Sequence, residues 1–181
     1  MVNQSVFDEA REQFPVGCIS DESSFGTCAF LYGLIAMRQP RRVVELGSCT
    51  GVASIWMGRA LAEVGGEGIL RCYEIDEAKA RISRDRLTRA NLGIDWDVIV
   101  GDFFAHSEVD ADFAFIDLVP KNAYYEALRH LRIPAGGIVA AHDTVHTDQG
   151  AVNFARDLAA NPEWTCINFP WERGIVVGIK A

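Results

Sequence analysis

The run Arg42-Val43-Val44-Glu45-Leu46-Gly47-Ser48-Cys49-Thr50-Gly51 constrains this chain more than any other stretch. An apolar strand leads straight into a glycine-bounded loop, and an amphipathic segment begins at once near Val52. Such a strand–loop–helix junction lets a ligand approach bare backbone at the carboxyl end of a parallel strand. Spacing then separates the ligands. A dinucleotide pyrophosphate calls for Gly-x-Gly-x-x-Gly. Here the pattern is Glu-x-Gly-x-x-x-Gly, with an acid inside the strand end and no third glycine. A carboxylate there repels a pyrophosphate and suits a cation, and S-adenosylmethionine carries both a sulfonium and an ammonium group.

The following elements agree with that reading. After Gly65, Gly66 and Gly68 comes a second strand, Ile69-Leu70-Arg71-Cys72-Tyr73-Glu74-Ile75-Asp76, which ends in acids. An acid at this point can accept hydrogen bonds from both ribose hydroxyls, with Glu74 the better candidate and Asp76 its rival. A third strand, Trp96 to Val100, ends in Gly101-Asp102-Phe103, an acid and an aromatic suited to the edge and face of an adenine. A fourth, Phe113 to Ile116, ends at Asp117, and a fifth, Gly137 to Ala141, ends at His142-Asp143. Taken singly, each is an ordinary strand-end turn. Five in a row make a site.

These motifs resemble the class I S-adenosylmethionine-dependent methyltransferases. The carriers are Glu45-Leu46-Gly47-Ser48-Cys49-Thr50-Gly51, Tyr73-Glu74-Ile75-Asp76, Gly101-Asp102, Phe115-Ile116-Asp117 and Gly136-Gly137-Ile138-Val139-Ala140-Ala141-His142-Asp143-Thr144. Within the class the chain is most similar to small catechol- and caffeoyl-coenzyme A-type O-methyltransferases and to macrocin-type relatives, over roughly residues 24 to 180. The resemblance implies a doubly wound, Rossmann-like α/β fold with a seven-stranded sheet in the order 3-2-1-4-5-7-6, the last strand antiparallel. It implies a cofactor site at Glu45, Gly47, Ser48, Thr50, Gly51, Glu74, Ile75, Asp102, Phe103 and Asp117. It also implies methyl transfer to a hydroxyl of a phenol, catechol or sugar-type small molecule.

Strand and helix alternate along the chain, which by itself indicates a parallel sheet with an antiparallel terminal hairpin. Cys28 to Met37 is a helix candidate closed by Gln39-Pro40. Residues 1 to 38 thus form a lead-in and helix to a single domain spanning 1 to 181. Val52, Ile55, Trp56 and Arg59 fall at helical spacing, the apolar ones expected to pack on the sheet. In Glu77 to Leu92 the interleaved Arg81, Arg84, Arg86 and Arg89 read as a solvated face. Ala123, Tyr124, Ala127, Leu128 and Leu131 form one apolar helical stripe, and Val152, Ala155, Leu158 and Ala159 another. Strands Trp164 to Phe169 and Gly174 to Ile179 close the chain, joined by Pro170-Trp171-Glu172-Arg173. Asn168-Phe169-Pro170-Trp171 echoes a motif of nucleic-acid amino-methylating enzymes, but it lies in this hairpin and not after the fourth strand. Turn chemistry, with Trp171 over one edge of the pocket, accounts for it better.

Composition bounds the rest. With 181 residues, 49% of them hydrophobic, the chain can bury one good core. A net charge of −8 argues against a nucleic-acid partner, which wants a basic face. The five cysteines, Cys18, Cys28, Cys49, Cys72 and Cys166, show no metal spacing and read as reduced residues of a cytoplasmic protein. No apolar run approaches a membrane span, and Met1-Val2-Asn3-Gln4-Ser5 does not read as a signal peptide. There is no long inserted cap, so cover for a substrate is expected from residues 14–27, the 143–150 loop or a second subunit, in a homodimer.

Methyl transfer from a sulfonium is an in-line displacement that needs an aligned, electron-rich nucleophile. A divalent cation held by carboxylates provides one route. Metal-dependent relatives use an Asp after the fourth strand and an Asp-Asn pair after the fifth. Asp117 and Asp143 match, which implies Mg²⁺ or Mn²⁺ there, whereas Thr144 stands where Asn is usual. A general base is the other route. Relatives place a Lys three residues after the metal Asp, and here Lys121 lies four on, behind Pro120. His142 and His146 titrate near neutrality. His142, adjoining Asp143, is the favoured base, with the alternative of a histidine that bonds backbone at a strand end. Relatives often hold the cofactor carboxylate with a Ser two residues past the last glycine. That position is Ala53, so Ser48 or Thr50 takes the role. Two other classes stay open: a non-catalytic S-adenosylmethionine-binding protein, and a dinucleotide-dependent oxidoreductase.

Overall fold

In the computed structural model, the described residues are 25–65, 67–145, 148–170 and 172–181. The lead-in through residue 24, with most of the expected 14–27 cover, lies outside them, as do Gly66, His146, Thr147 and Trp171.

Helix α1 (Phe25–Arg38) buries Cys28, Leu31, Tyr32 and Ile35, a spacing that draws one stripe along the helix. Leu31 and Ile35 are fully buried, each contributing roughly 2 kcal/mol of transfer free energy. The chain turns at Gln39, with φ of 50°, and enters β1 (Arg42–Leu46). Then follow α2 (Val52–Glu63), β2 (Ile69–Glu74), α3 (Glu77–Ala90) and β3 (Asp95–Val100). A short pair of strands, β4 (Val109–Asp110) and β6 (Leu131–Arg132), flanks β5 (Phe113–Ile116) and α4 (Tyr124–His130). Strand β7 (Ile138–His142), α5 (Gln149–Ala160), β8 (Trp164–Phe169) and β9 (Ile175–Lys180) complete the domain.

Seven strands form the main sheet in the order β3-β2-β1-β5-β7-β9-β8. With the short pair set aside, this is the expected 3-2-1-4-5-7-6. Strands β1, β2, β3, β5 and β7 run parallel, and β9 runs antiparallel to both its neighbours. Side chains alternate across the sheet. Val43, Cys72, Phe113, Phe115, Ile138 and Ala140 pack under α1, α2 and α3, whereas Val44, Tyr73, Ala114, Ile116, Val139 and Ala141 pack under α4 and α5.

Two expectations need correction. Leu131 does not continue the helical stripe but opens β6, where it pairs with Val109. Ile133 precedes Pro134 and is steered out of the helical region, and the extended backbone starts at Leu131. Arg86 is not simply solvated, since it reaches across to the glycine loop described below. Among the described residues, no helix is long and apolar enough to cross a membrane.

Candidate functional site

All five parallel strands end at one cleft of about 620 Å³, a size that suits a small ligand. Its floor is the loop between β1 and α2. Gly47 has φ of 85° and Gly51 of 86°, a region that side chains seldom adopt. A Cβ on Gly47 would fall 2.6 Å from the Asp117 carbonyl oxygen, so this glycine lets the loop lie against the end of β5. The loop is moored to β2 by Gly47 N–H and Ser48 N–H, which both donate to the Tyr73 carbonyl.

Two acids at the end of β2 part company. Glu74 accepts from Cys49 N–H at 2.7 Å through Oε2 and from Asp76 N–H at 2.9 Å through Oε1, so it faces the loop and lines the cleft. Asp76 caps α3, its Oδ1 accepting from Ala78 and Lys79 N–H. Ile75 stands between them at the cleft wall, 71% exposed. The two loop hydroxyls differ as well. Arg86 Nη1 donates to Thr50 Oγ1 at 2.7 Å and to its carbonyl at 3.0 Å, which makes Thr50 a brace. Ser48 Oγ is buried at the cleft and, among the described residues, has no hydrogen-bond partner. A buried hydroxyl left without a partner is costly, and a bound carboxylate would relieve it.

Glu45 lies beneath the loop. It shares the sheet face of Val43 and accepts a hydrogen bond from Ser54 Oγ of α2. Burial pushes its carboxyl up to about 7, against the opposing pull of Ser54 and Cys72. Burial also drives the Cys72 thiol well up. At the end of β3, Asp102 caps the short helix Phe103–Ala105 by accepting from Phe104 N–H. Phe103 borders the cleft but is mostly buried, edge-on to Tyr73 with centroids 5.0 Å apart.

The ends of β5 and β7 hold the charged part of the site. Lys121 Nζ lies 2.5 Å from Asp117 Oδ1 and 2.7 Å from Asp143 Oδ2, with its side chain almost wholly buried. Burial alone would pull the lysine down, but Asp117 and Asp143 outweigh it and hold it above its usual value. Burial likewise pushes Asp117 up, and its contacts with His142 and Lys121 reverse that and leave it low. His142 Nδ1 faces Asp117 Oδ2 at 3.2 Å, and Nε2 faces Thr27 Oγ1 of α1 at 3.3 Å. Tyr124 O–H donates to the His142 carbonyl at 3.4 Å. Asp143 takes φ of 65° and sits beside Arg173, whose Nε is 2.6 Å from Oδ1. That contact is an ion pair without hydrogen-bond alignment.

Whether a divalent cation fits here follows from these distances. Ligand atoms of Asp117, His142 and Asp143 lie within 4.8 Å of one another, as a metal site requires. However, Lys121 Nζ already touches both carboxylates that would hold the ion. Thr144 turns its hydroxyl away to donate to Asn168 Oδ1 at 2.8 Å. The charge already at hand balances the carboxylates, so the residues as arranged do not suit Mg²⁺ or Mn²⁺.

The structure thus gathers the expected Glu45, Gly47, Ser48, Thr50, Glu74, Ile75, Asp102, Phe103, Asp117, Lys121, His142 and Asp143 around one cleft. Gly51 acts from behind it, where a Cβ would fall 2.5 Å from Ser83 Oγ. Sequence reasoning missed Arg173 and Glu172. Gly174, with φ of 85°, brings their turn against the backbone after β7, where Val145 N–H donates to the Arg173 carbonyl and Thr144 N–H to that of Gly174. A charged pair inside an aromatic turn was the only signal.

Comparison with solved structures gives the same fold throughout. An O-methyltransferase from Bacillus cereus in complex with S-adenosylhomocysteine is 23% identical, with a TM-score of 0.71 over 98% of this chain and 90% of that one. The O-methyltransferase TomG from Streptomyces achromogenes, involved in tomaymycin synthesis and bound to S-adenosylmethionine, is 23% identical, with a TM-score of 0.72 over 98% and 88%. The S-adenosylhomocysteine-bound methyltransferase PaMTH1 from Podospora anserina is 17% identical, with a TM-score of 0.77 over 98% and 87%. No curated protein matches the chain. The methyltransferase-domain family matches residues 44–144, more than half the chain, from within β1 to the turn after β7. The chain belongs to the methyltransferase-domain family.

Proposed function

We propose that this protein transfers a methyl group from S-adenosylmethionine to a hydroxyl of a small-molecule acceptor. The observation that carries the reading is the buried Ser48 Oγ, without a hydrogen-bond partner among the described residues, in a glycine loop whose far side adjoins a charged cluster at Asp117, Lys121 and Asp143. One end of the cleft suits a carboxylate and a ribose, and the other suits a reacting hydroxyl.

In this reading Ser48 takes the cofactor carboxylate, Glu74 the ribose hydroxyls, and Ile75, Asp102 and Phe103 the adenine. Glu45 and Asp117 supply negative charge for the cofactor's cationic groups. Bound there, S-adenosylmethionine supplies an electrophilic methyl: the acceptor oxygen forms the new bond to carbon as the carbon–sulfur bond breaks, its electron pair staying on sulfur. The protein's part is alignment and charge. Asp143 and Asp117 fix Lys121, and His142 fixes Asp117, since both its ring nitrogens already have partners. Both O-methyltransferases named above support transfer to oxygen, and their bound cofactors support the donor. A homodimer in the cytoplasm goes with this reading, supported by exposed Ile167 and Ile179 on the hairpin that ends the sheet.

The test is a screen with methyl-labelled S-adenosylmethionine over phenols, catechols and sugar hydroxyls. Label in an O-methyl product is expected with at least one class. Binding of S-adenosylhomocysteine with no transfer to any acceptor would favour a non-catalytic binding protein instead.

A further inference from the structure

We infer that the Lys121 ammonium is a built-in replacement for the divalent cation, so that the site activates its acceptor hydroxyl with a side-chain charge and needs no metal. The inference rests on the methyl-transfer reading for its catalytic part, and on geometry alone for its charge part.

The geometry is specific. Nζ lies 2.5 Å from Asp117 Oδ1 and 2.7 Å from Asp143 Oδ2, so it bridges the two carboxylates that would hold an ion. Its side chain is nearly closed off from solvent, and the ammonium is 5.5 Å from the centroid of the Tyr124 ring. The charge count agrees. Asp117 and Asp143 contribute two negative charges, and Lys121 and Arg173 two positive ones, so the four groups balance. A divalent ion would add two surplus positive charges beside Asp117, Lys121 and Asp143, whose side chains are nearly buried although that of Arg173 is half-exposed, a costly state where the dielectric is low. It would also meet only two carboxylates and a histidine, because the Thr144 hydroxyl is spent on Asn168.

Lys121 reaches this point from one residue further along than the simple three-residue spacing. Pro120 leads into a short helical turn, Lys121–Ala123, which buries the lysine and turns it back to the ends of both strands. An ammonium held between two carboxylates cannot drift, and it presents a fixed positive charge to any oxygen that enters the cleft beside it. The acceptor's proton leaves for solvent, and Lys121 keeps its own. Its work is to stabilise the oxyanion and not to abstract the proton.

Manganese binding, read from the electron paramagnetic resonance of free Mn²⁺, tests the charge claim without any methylation. The wild-type protein should leave the free Mn²⁺ signal intact at micromolar concentrations, with or without S-adenosylhomocysteine. Lys121→Ala removes the competing charge and should bind Mn²⁺ at least tenfold more tightly than wild type. Stoichiometric Mn²⁺ binding by the wild type, abolished in Asp117→Asn, would overturn the inference, and this titration stands even if Lys121→Ala fails to fold. A folded Lys121→Ala that gains no Mn²⁺ affinity would overturn it as well. Once an acceptor is in hand, methylation should survive exhaustive EDTA treatment, and Lys121→Met should lower kcat about a hundredfold while S-adenosylhomocysteine affinity stays within threefold. Loss of activity on chelation, restored by Mg²⁺, would refute the catalytic part. Absence of methylation altogether would count against the methyl-transfer reading and leave the Mn²⁺ result untouched.

Discussion

Glu45 offers a test in which the fold itself reports on the cofactor site. Its carboxyl is buried beneath the glycine loop and pushed from 4.5 to about 7, mainly by burial. At about 1.36 kcal/mol per pH unit, that rise makes the ionised group about 3 kcal/mol costlier in the fold than in the unfolded chain. The sign is fixed by which state holds the proton. Between pH 4.5 and 7 the folded protein keeps it and the unfolded chain loses it, so stability falls as pH rises through this window and levels off above it. The sequence pI near 5.0 makes work below pH 5.5 impractical, so about 2 of the 3 kcal/mol are accessible between pH 5.5 and 8. Glu45→Gln keeps the shape and the Ser54 partner without the charge. Urea unfolding at pH 5.5 and 8 should show wild type losing about 2 kcal/mol more than Glu45→Gln over that interval. A cationic ligand group brought near Glu45 favours the ionised form, so wild-type affinity for S-adenosylhomocysteine should rise with pH toward 7, and the variant's should not. Parallel stability curves for the two proteins would refute the argument that burial governs this carboxyl.

Five further substitutions probe the half of the cleft around the glycine loop. Glu74→Ala should weaken S-adenosylhomocysteine binding at least tenfold by calorimetry, whereas Asp76→Ala should cost about 1 kcal/mol of stability as a lost helix cap and change affinity little. Ser48→Ala should lower affinity about tenfold without lowering the melting temperature, since its hydroxyl has no partner to lose among the described residues. Thr50→Val should instead lower the melting temperature, because it removes the acceptor for Arg86. Gly47→Val should abolish binding or folding, since its Cβ would lie 2.6 Å from a backbone oxygen that has nowhere to go. Each is read by thermal melting and calorimetry on the same sample.

The half of the cleft around the glycine loop was largely legible in the sequence because it is local. A strand, its loop and the next helix are contiguous, and glycines with positive φ leave their mark on residue type at Gly47 and Gly51. The choice between Glu74 and Asp76 was also open to local reasoning, since Asp76 is followed by a charged helix it can cap. The half around Asp117, Lys121 and Asp143 was less legible because it is assembled across long separations. Arg173 meets Asp143 from a turn thirty residues on, held there by the close approach at Gly174 and by the bonds from Thr144 and Val145 N–H. The position of Lys121 between Asp117 and Asp143 was hidden by its four-residue spacing, which looks displaced until the turn after Pro120 is seen. Arg86 was hidden in another way. Amid several exposed arginines, nothing in residue type marks the one that turns inward to Thr50. The small β4–β6 pair was missed because two residues carry too little pattern to register.

Calorimetric titration of the purified protein with S-adenosylhomocysteine, and separately with NADH, distinguishes a methyl-donor cleft from a dinucleotide cleft. S-adenosylhomocysteine should bind saturably at one site per chain, with binding weakened by Glu74→Ala, and NADH should give no heat. Saturable NADH binding without any for S-adenosylhomocysteine would contradict it, and would turn the strand-end cleft into a dinucleotide site.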